Sequence, residues 1–211
     1  MTEIAANTKA ANSNRLSQWL FNPFRFIAGF KALLLGPAII LMSAFVGSFS
    51  NTHFDGILDV HIGLKAPLWF FFAEGLIDWI CMAVPLFFFG LIVSHSSFRM
   101  IDVLGTQALA RWPYLITSVV MFPDANQRFS IYLMSRFTST TASVAVDYTD
   151  MLIFIFAMVV VVIMVVWTVA LMYKAYVVSC NIKGAGAVIT FIVSLTGAEV
   201  LSKFAILSLL G

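Results

Sequence analysis

Four ionisable side chains stand in otherwise apolar stretches: Glu74, Asp78, Glu199 and Lys203. Glu74 and Asp78 are four residues apart, as are Glu199 and Lys203. In a helix this spacing puts each pair on one face. Glu preceding Lys is also the favourable order for an ion pair. Two carboxylates on one buried face can hold a shared proton or a cation, so charges of this kind inside a membrane point to function. The simpler use of the same charges is structural. In that reading Lys203 neutralises Glu74 or Asp78 and clamps two helices together. The clamp is the preferred reading, and a proton, cation or ligand path is the alternative.

Other candidate groups carry less. His53-Phe54-Asp55 and Asp59-Val60-His61 mirror one another across a short loop. His and Asp can ligate zinc, but the spacing matches no metal signature, so all four read as solvated loop residues. His95 beside Ser96 and Ser97 offers a base and a hydroxyl. Adjacent residues do not reach the geometry of a nucleophile and its base, and no orienting acid is close in sequence. Cys81 and Cys180 lie in or beside apolar segments and read as buried free thiols. The sequence contains no His-Glu-x-x-His, no paired-Glu protease motif, no intramembrane Gly-x-Gly-Asp and no phosphate-cradling glycine loop. The expectation is therefore a protein that is not an enzyme, with no catalytic residue, cofactor or metal.

The elements that position these residues follow from composition. Apolar residues make up 61% of the 211 and charged residues 10%, against about 45–50% and about 25% in soluble domains. So few charges cannot cover a water-exposed surface, and the apolar residues come in long blocks. Net charge is +2 with no basic run, which argues against nucleic acid. Residues 1–20 read as a disordered or interfacial tail, polar up to Gln18, and residues 21–211 as one all-α, five-helix membrane domain.

Asn22-Pro23 is a helix-start signal. The Phe- and Trp-rich stretch around it, with Arg25 and Lys31, suits a membrane interface. Span one is expected over 32–49 with Pro37 inside, and span two over 67–94 with Pro85 inside. A connector from Ser96 to Arg111 has the pattern of an interfacial helix. Span three, Trp112 to Phe122, is short against the roughly 20 residues of a full crossing; either it starts near Ala108 and crosses, or it is re-entrant. Residues 124–150 are polar, with apolar positions that suit a membrane surface. Span four, 151–173, holds no charge, and span five covers 185–207.

Cytoplasmic segments carry an excess of Lys and Arg. Five spans with the N-terminus inside place Lys9, Arg15, Arg25, Lys31, Arg99, Arg111, Lys174 and Lys183 on the cytoplasmic side, against Lys65, Arg128 and Arg136 outside. Counting helical rise from the cytoplasmic ends puts both charge pairs in the outer half at similar depths. Spans two and five are therefore expected to touch.

The layout resembles the bacterial branch of the Yip1 family. The resemblance rests on the entry Phe21-Asn22-Pro23-Phe24-Arg25-Phe26, the connector Ser97-Phe98-Arg99 leading to Gly105 and then Trp112-Pro113, and the late segments Tyr173-Lys174-Ala175-Tyr176 and Ala198-Glu199-Val200-Leu201. Ala110-Arg111-Trp112 stands where eukaryotic members carry Gly-Tyr before the proline, and a short polar stretch stands where they carry the long region that contacts small GTPases, so their vesicle-traffic role is not expected here. The resemblance implies a multi-pass inner-membrane protein, N-terminus cytoplasmic, acting through membrane and protein contacts. The lipid bilayer is the expected partner, beside an unidentified protein; the size is compatible with a homo-oligomer.

Overall fold

Proline positions set where helices can begin. A 3-10 turn covers Pro23–Arg25 and buries Phe24. Helix α1 then runs Gly29–Phe49. A loop follows, carrying two short antiparallel strands, β1 (Thr52–His53) and β2 (His61–Ile62). Helix α2, Leu68–Val93, starts directly after Pro67, whose ring pre-sets the entry. Next come α3 (Met100–Leu109), α4 (Pro113–Met121) and α5 (Asp124–Thr138). Helix α6 (Tyr148–Ser179) opens on a capping box between Asp147 and Asp150, and α7 covers Ala185–Leu207. The computed structural model describes residues 18–138 and 145–209. The expected N-terminal tail therefore lies outside the described residues up to position 17.

The protein is an all-α bundle with four helices, α1, α2, α6 and α7, long and apolar enough to cross a membrane. Their most apolar windows are only 22–33% buried inside the bundle. Large apolar side chains such as Phe45, Phe88, Ile92, Phe156 and Val166 point outward instead. In water that surface would associate; in lipid it is solvated. The expected spans one, two, four and five coincide with these helices.

The expected connector and third span have a different structure. Residues 100–109 do not form a helix on the bundle's surface. Val103, Gly105, Thr106, Gln107, Ala108 and Leu109 are all buried. Helices α3 and α4 lie end to end beside α1 and run in its direction: Gly36 meets Ala108 and Leu109, Ser118 Oγ donates to Ser43 O at 2.8 Å, and the Phe122 ring meets Phe49. They run antiparallel to α6. The Thr106 and Ser179 hydroxyls are 2.8 Å apart, Gln107 Nε2 donates to Met172 O, and Met121 packs with Ala157 and Val161. The break between them has a local cause. Pro113 has no N–H, and its ring would clash with the carbonyl of Leu109 in a continuous α-helix. The 110–112 turn keeps its backbone paired through shorter bonds, Arg111 N to Ala108 O and Trp112 N to Leu109 O.

Lipid offers no hydrophobic drive between helices, so close packing of small residues does the work. A Cβ on Gly36 would lie 2.5 Å from Leu109 N, and one on Gly105 would lie 2.7 Å from Leu33 N. The backbones of α1 and α3 therefore touch. At the end of the bundle away from the 50–67 loop, Ser94 Oγ donates to Cys180 O at 2.7 Å, tying the segment after α2 to the α6–α7 connector. Helices α2 and α7 pack along each other, as expected from their matched charge pairs.

Candidate ligand cavity and charge cluster

The 50–67 loop folds back onto the bundle and brings its polar groups to the ends of α2 and α7. Pairing of β1 with β2 sets His53 opposite His61. Ile57 is fully buried, its carbonyl accepting from the Tyr114 hydroxyl. Leu58 N donates to Glu199 Oε2 at 3.0 Å. The loop is thus pinned from α4 and α7 together.

Glu74, 1% exposed, does not face Lys203. Its Oε1 is 2.7 Å from His53 Nδ1, and Phe54 N donates weakly to its Oε2. His53 Nε2 lies 2.8 Å from the Leu64 carbonyl. A carbonyl only accepts, so Nε2 is the donor there, and a carboxylate at Nδ1 favours a second proton on the ring. Burial works against that charge, but the Glu74 and Leu64 contacts outweigh it and raise the His53 pKa. The ring also stacks on Phe71 at 4.5 Å.

Asp78 is fully buried and faces Arg111, with Nη1 3.6 Å from Oδ2. Both Asp78 oxygens, and Nε and Nη2 of Arg111, have no hydrogen-bond partner among the described residues. Lys203 Nζ binds Asp59 Oδ2 at 2.6 Å and lies 3.4 Å from Glu199 Oε1. Lys203 therefore neutralises loop and α7 carboxylates, and the expected pairing with Glu74 or Asp78 is corrected. Those two carboxylates take His53 and Arg111, neither of which was placed near them by sequence spacing. Arg111 also leaves the expected cytoplasmic set, because it lies in the break of α3–α4 and only 2% of it is exposed. One signal in the sequence pointed to it: residues 103–122 hold a single charge, Arg111.

His61, Asp55 and Asp59 are not separate solvated groups. His61 Nδ1 is 3.3 Å from Asp55 Oδ1 and 3.5 Å from Asp59 Oδ1. The Asp55 contact raises the His61 pKa against the effect of burial. Burial pushes Asp55 up, but His61 and Lys203 win and its pKa falls.

Beside this cluster lies a cavity of about 1000 Å³. Its walls come from the 51–67 loop, the start of α2, the end of α7, and Gln127, Ser130, Ile131 and Met134 of α5. Trp69, Phe70 and Leu207 make it largely apolar, while His61, Glu74, Lys65 and Lys203 supply charge. Lys65 has no ion-pair partner among the described residues. The polar column stops at Asp78, since the next inward residues of α2, Met82, Ala83 and Leu86, are buried and apolar. No family model matches the chain, and comparison with curated proteins and with solved structures finds no match.

Proposed function

We propose that this chain is a non-enzymatic, five-crossing membrane protein of Yip1-type layout that holds an anionic amphiphile, such as a fatty acid or lysophospholipid, in its outer cavity. The N-terminus is cytoplasmic and the host is a cell inner membrane. The observation that carries the ligand reading is the cavity, apolar along most of its wall and charged at one side. Its size is at the upper end for small-molecule sites. The uncompensated Lys65 ammonium favours a negative headgroup.

The fifth crossing is α3–α4 together. It runs beside α1 along the whole of that helix, and Lys and Arg remain more numerous on the side assigned to the cytoplasm once Arg111 is removed. That the 51–67 loop and α5 line one cavity also supports an even number of crossings between them, α2 and α3–α4.

Trp69 supplies the test. Bromine on a fatty-acid chain should quench Trp69 fluorescence saturably in detergent-solubilised protein. Trp69→Phe should remove the saturable component, and Lys65→Ala should weaken it. Quenching that is linear in ligand, or unchanged by Trp69→Phe, would falsify the ligand reading.

A second reading, a proton or cation path, draws support from the unpartnered atoms of Asp78 and Arg111. Proteoliposome flux that falls in Glu74→Gln and Asp78→Asn would favour it. No flux under an imposed gradient removes it.

A further inference from the structure

We infer that Asp55, Asp59 and His61 form a binding site for a divalent transition-metal cation of the zinc type on the wall of the outer cavity. The inference stands whether or not an amphiphile occupies that cavity. One nitrogen of His61 and one oxygen from each aspartate lie within 4.8 Å of one another. The His61–Asp55 and His61–Asp59 separations, 3.3 and 3.5 Å, exceed the ordinary N–H···O range. They match the spacing of donor atoms around one tetrahedral ion: zinc bonds of about 2.0–2.1 Å place neighbouring donors ~3.4 Å apart. Asp55 Oδ1 is sealed from solvent and has no hydrogen-bond partner among the described residues.

Charge points the same way. Asp59 and Glu199 share a single ammonium, Lys203, while Asp55 has His61 beside it. Carboxylates outnumber the ammonium here, and a divalent cation supplies the missing positive charge. Lys203 does not occupy the site. It holds Asp59 through Oδ2, leaving Oδ1 directed at His61. That is how a neighbouring group orients a metal-binding carboxylate. The backbone is held as well, by the β1–β2 pairing on one side and by Leu58 N on Glu199 on the other. Asp55 and His61 line the cavity, so a fourth ligand, water or an anionic group, enters from there.

The donor set selects the metal class. Calcium takes six to eight oxygens and magnesium an octahedral, largely hydrated shell. One imidazole with two carboxylates and an open fourth position suits zinc, which accepts both donor types.

Calorimetric titration of the chelator-treated full chain in detergent tests this. ZnCl2 should bind one-to-one, and Co2+ should give the visible bands of a tetrahedral site. Asp55→Asn and His61→Gln, near-isosteric changes, should each weaken zinc binding by more than about ten-fold. His95→Gln, at the other end of the bundle, should leave it unchanged. Circular dichroism identifies any variant that has lost its fold, and the Co2+ spectrum of the parent chain then decides alone. Absence of saturable zinc binding, equal binding by the folded variants, or equal affinity for Mg2+ would overturn the inference.

Discussion

Asp78 and Arg111 meet where no water reaches, at a distance that allows attraction but no hydrogen bond. Removing one partner of such a pair leaves the other buried and unpaired, which costs about 3–5 kcal/mol, whereas replacing both with apolar groups is often neutral or better. Arg111→Met should therefore lower unfolding free energy in mixed micelles by that order, and adding Asp78→Leu should recover most of the loss. Equal destabilisation by the single and double variants would mean that the pair is not the source. The Tyr114 hydroxyl makes a separate contribution by satisfying the buried Ile57 carbonyl. Tyr114→Phe orphans that carbonyl at a cost of about 1–3 kcal/mol. Hydrogen exchange should rise at residues 56–59 and stay level in α6. At this scale the carboxylates themselves were legible in the sequence, since an acid in an apolar run declares itself. Their partners were not. His53 and Arg111 come from a loop and a helix break, and periodicity within one helix says nothing about what another segment folds against it.

Helix α3–α4 shows how one residue reshapes an element. Pro113 interrupts the hydrogen-bond ladder, and Arg111 sits in the resulting turn with its side chain directed at α2. The interruption is also why the segment read as a connector followed by a short span: the charge and the proline divide an apolar stretch that packs as one rod. Contact between α1 and α3 depends on Gly36, where any side chain meets backbone rather than a movable group. Gly36→Val should lower the apparent Tm in detergent, with a cost on the order of 1–3 kcal/mol from overpacking, or more if the helices separate. Gly197→Ala, on an open part of α7 with nothing within 4 Å of the new methyl, is the matched control and should be neutral or slightly stabilising. Comparable losses in both variants would argue against a tight α1–α3 crossing.

For the whole molecule, the number of crossings is the measurable quantity. With Cys81 and Cys180 replaced by serine, single cysteines at Leu64 and Asp124 should react with an impermeant maleimide from the same face of the membrane. Cysteines at Ser97 and Lys183 should react only from the opposite face. All four positions are exposed. A four-crossing protein, in which α3–α4 stays on one side, would instead label Asp124→Cys together with Ser97→Cys.

Long apolar runs determined, from the sequence alone, that the chain is an all-α bundle with four helices able to span a membrane, because a backbone in lipid must satisfy its own hydrogen bonds and a helix does so locally. The same local logic located Glu74, Asp78, Glu199 and Lys203 and anticipated that α2 and α7 touch. Tertiary structure alone decided which charge answers which. Lys203 turned to Asp59 and Glu199, Glu74 took His53, and Asp78 took Arg111. It also converted four scattered loop residues, His53, Asp55, Asp59 and His61, into two compact groups beside a cavity. The reason is physical: a helix is specified by neighbours along the chain, whereas an ion pair or a ligand site is specified by neighbours in space, and the 50–67 loop reaches them only by folding back into the bundle.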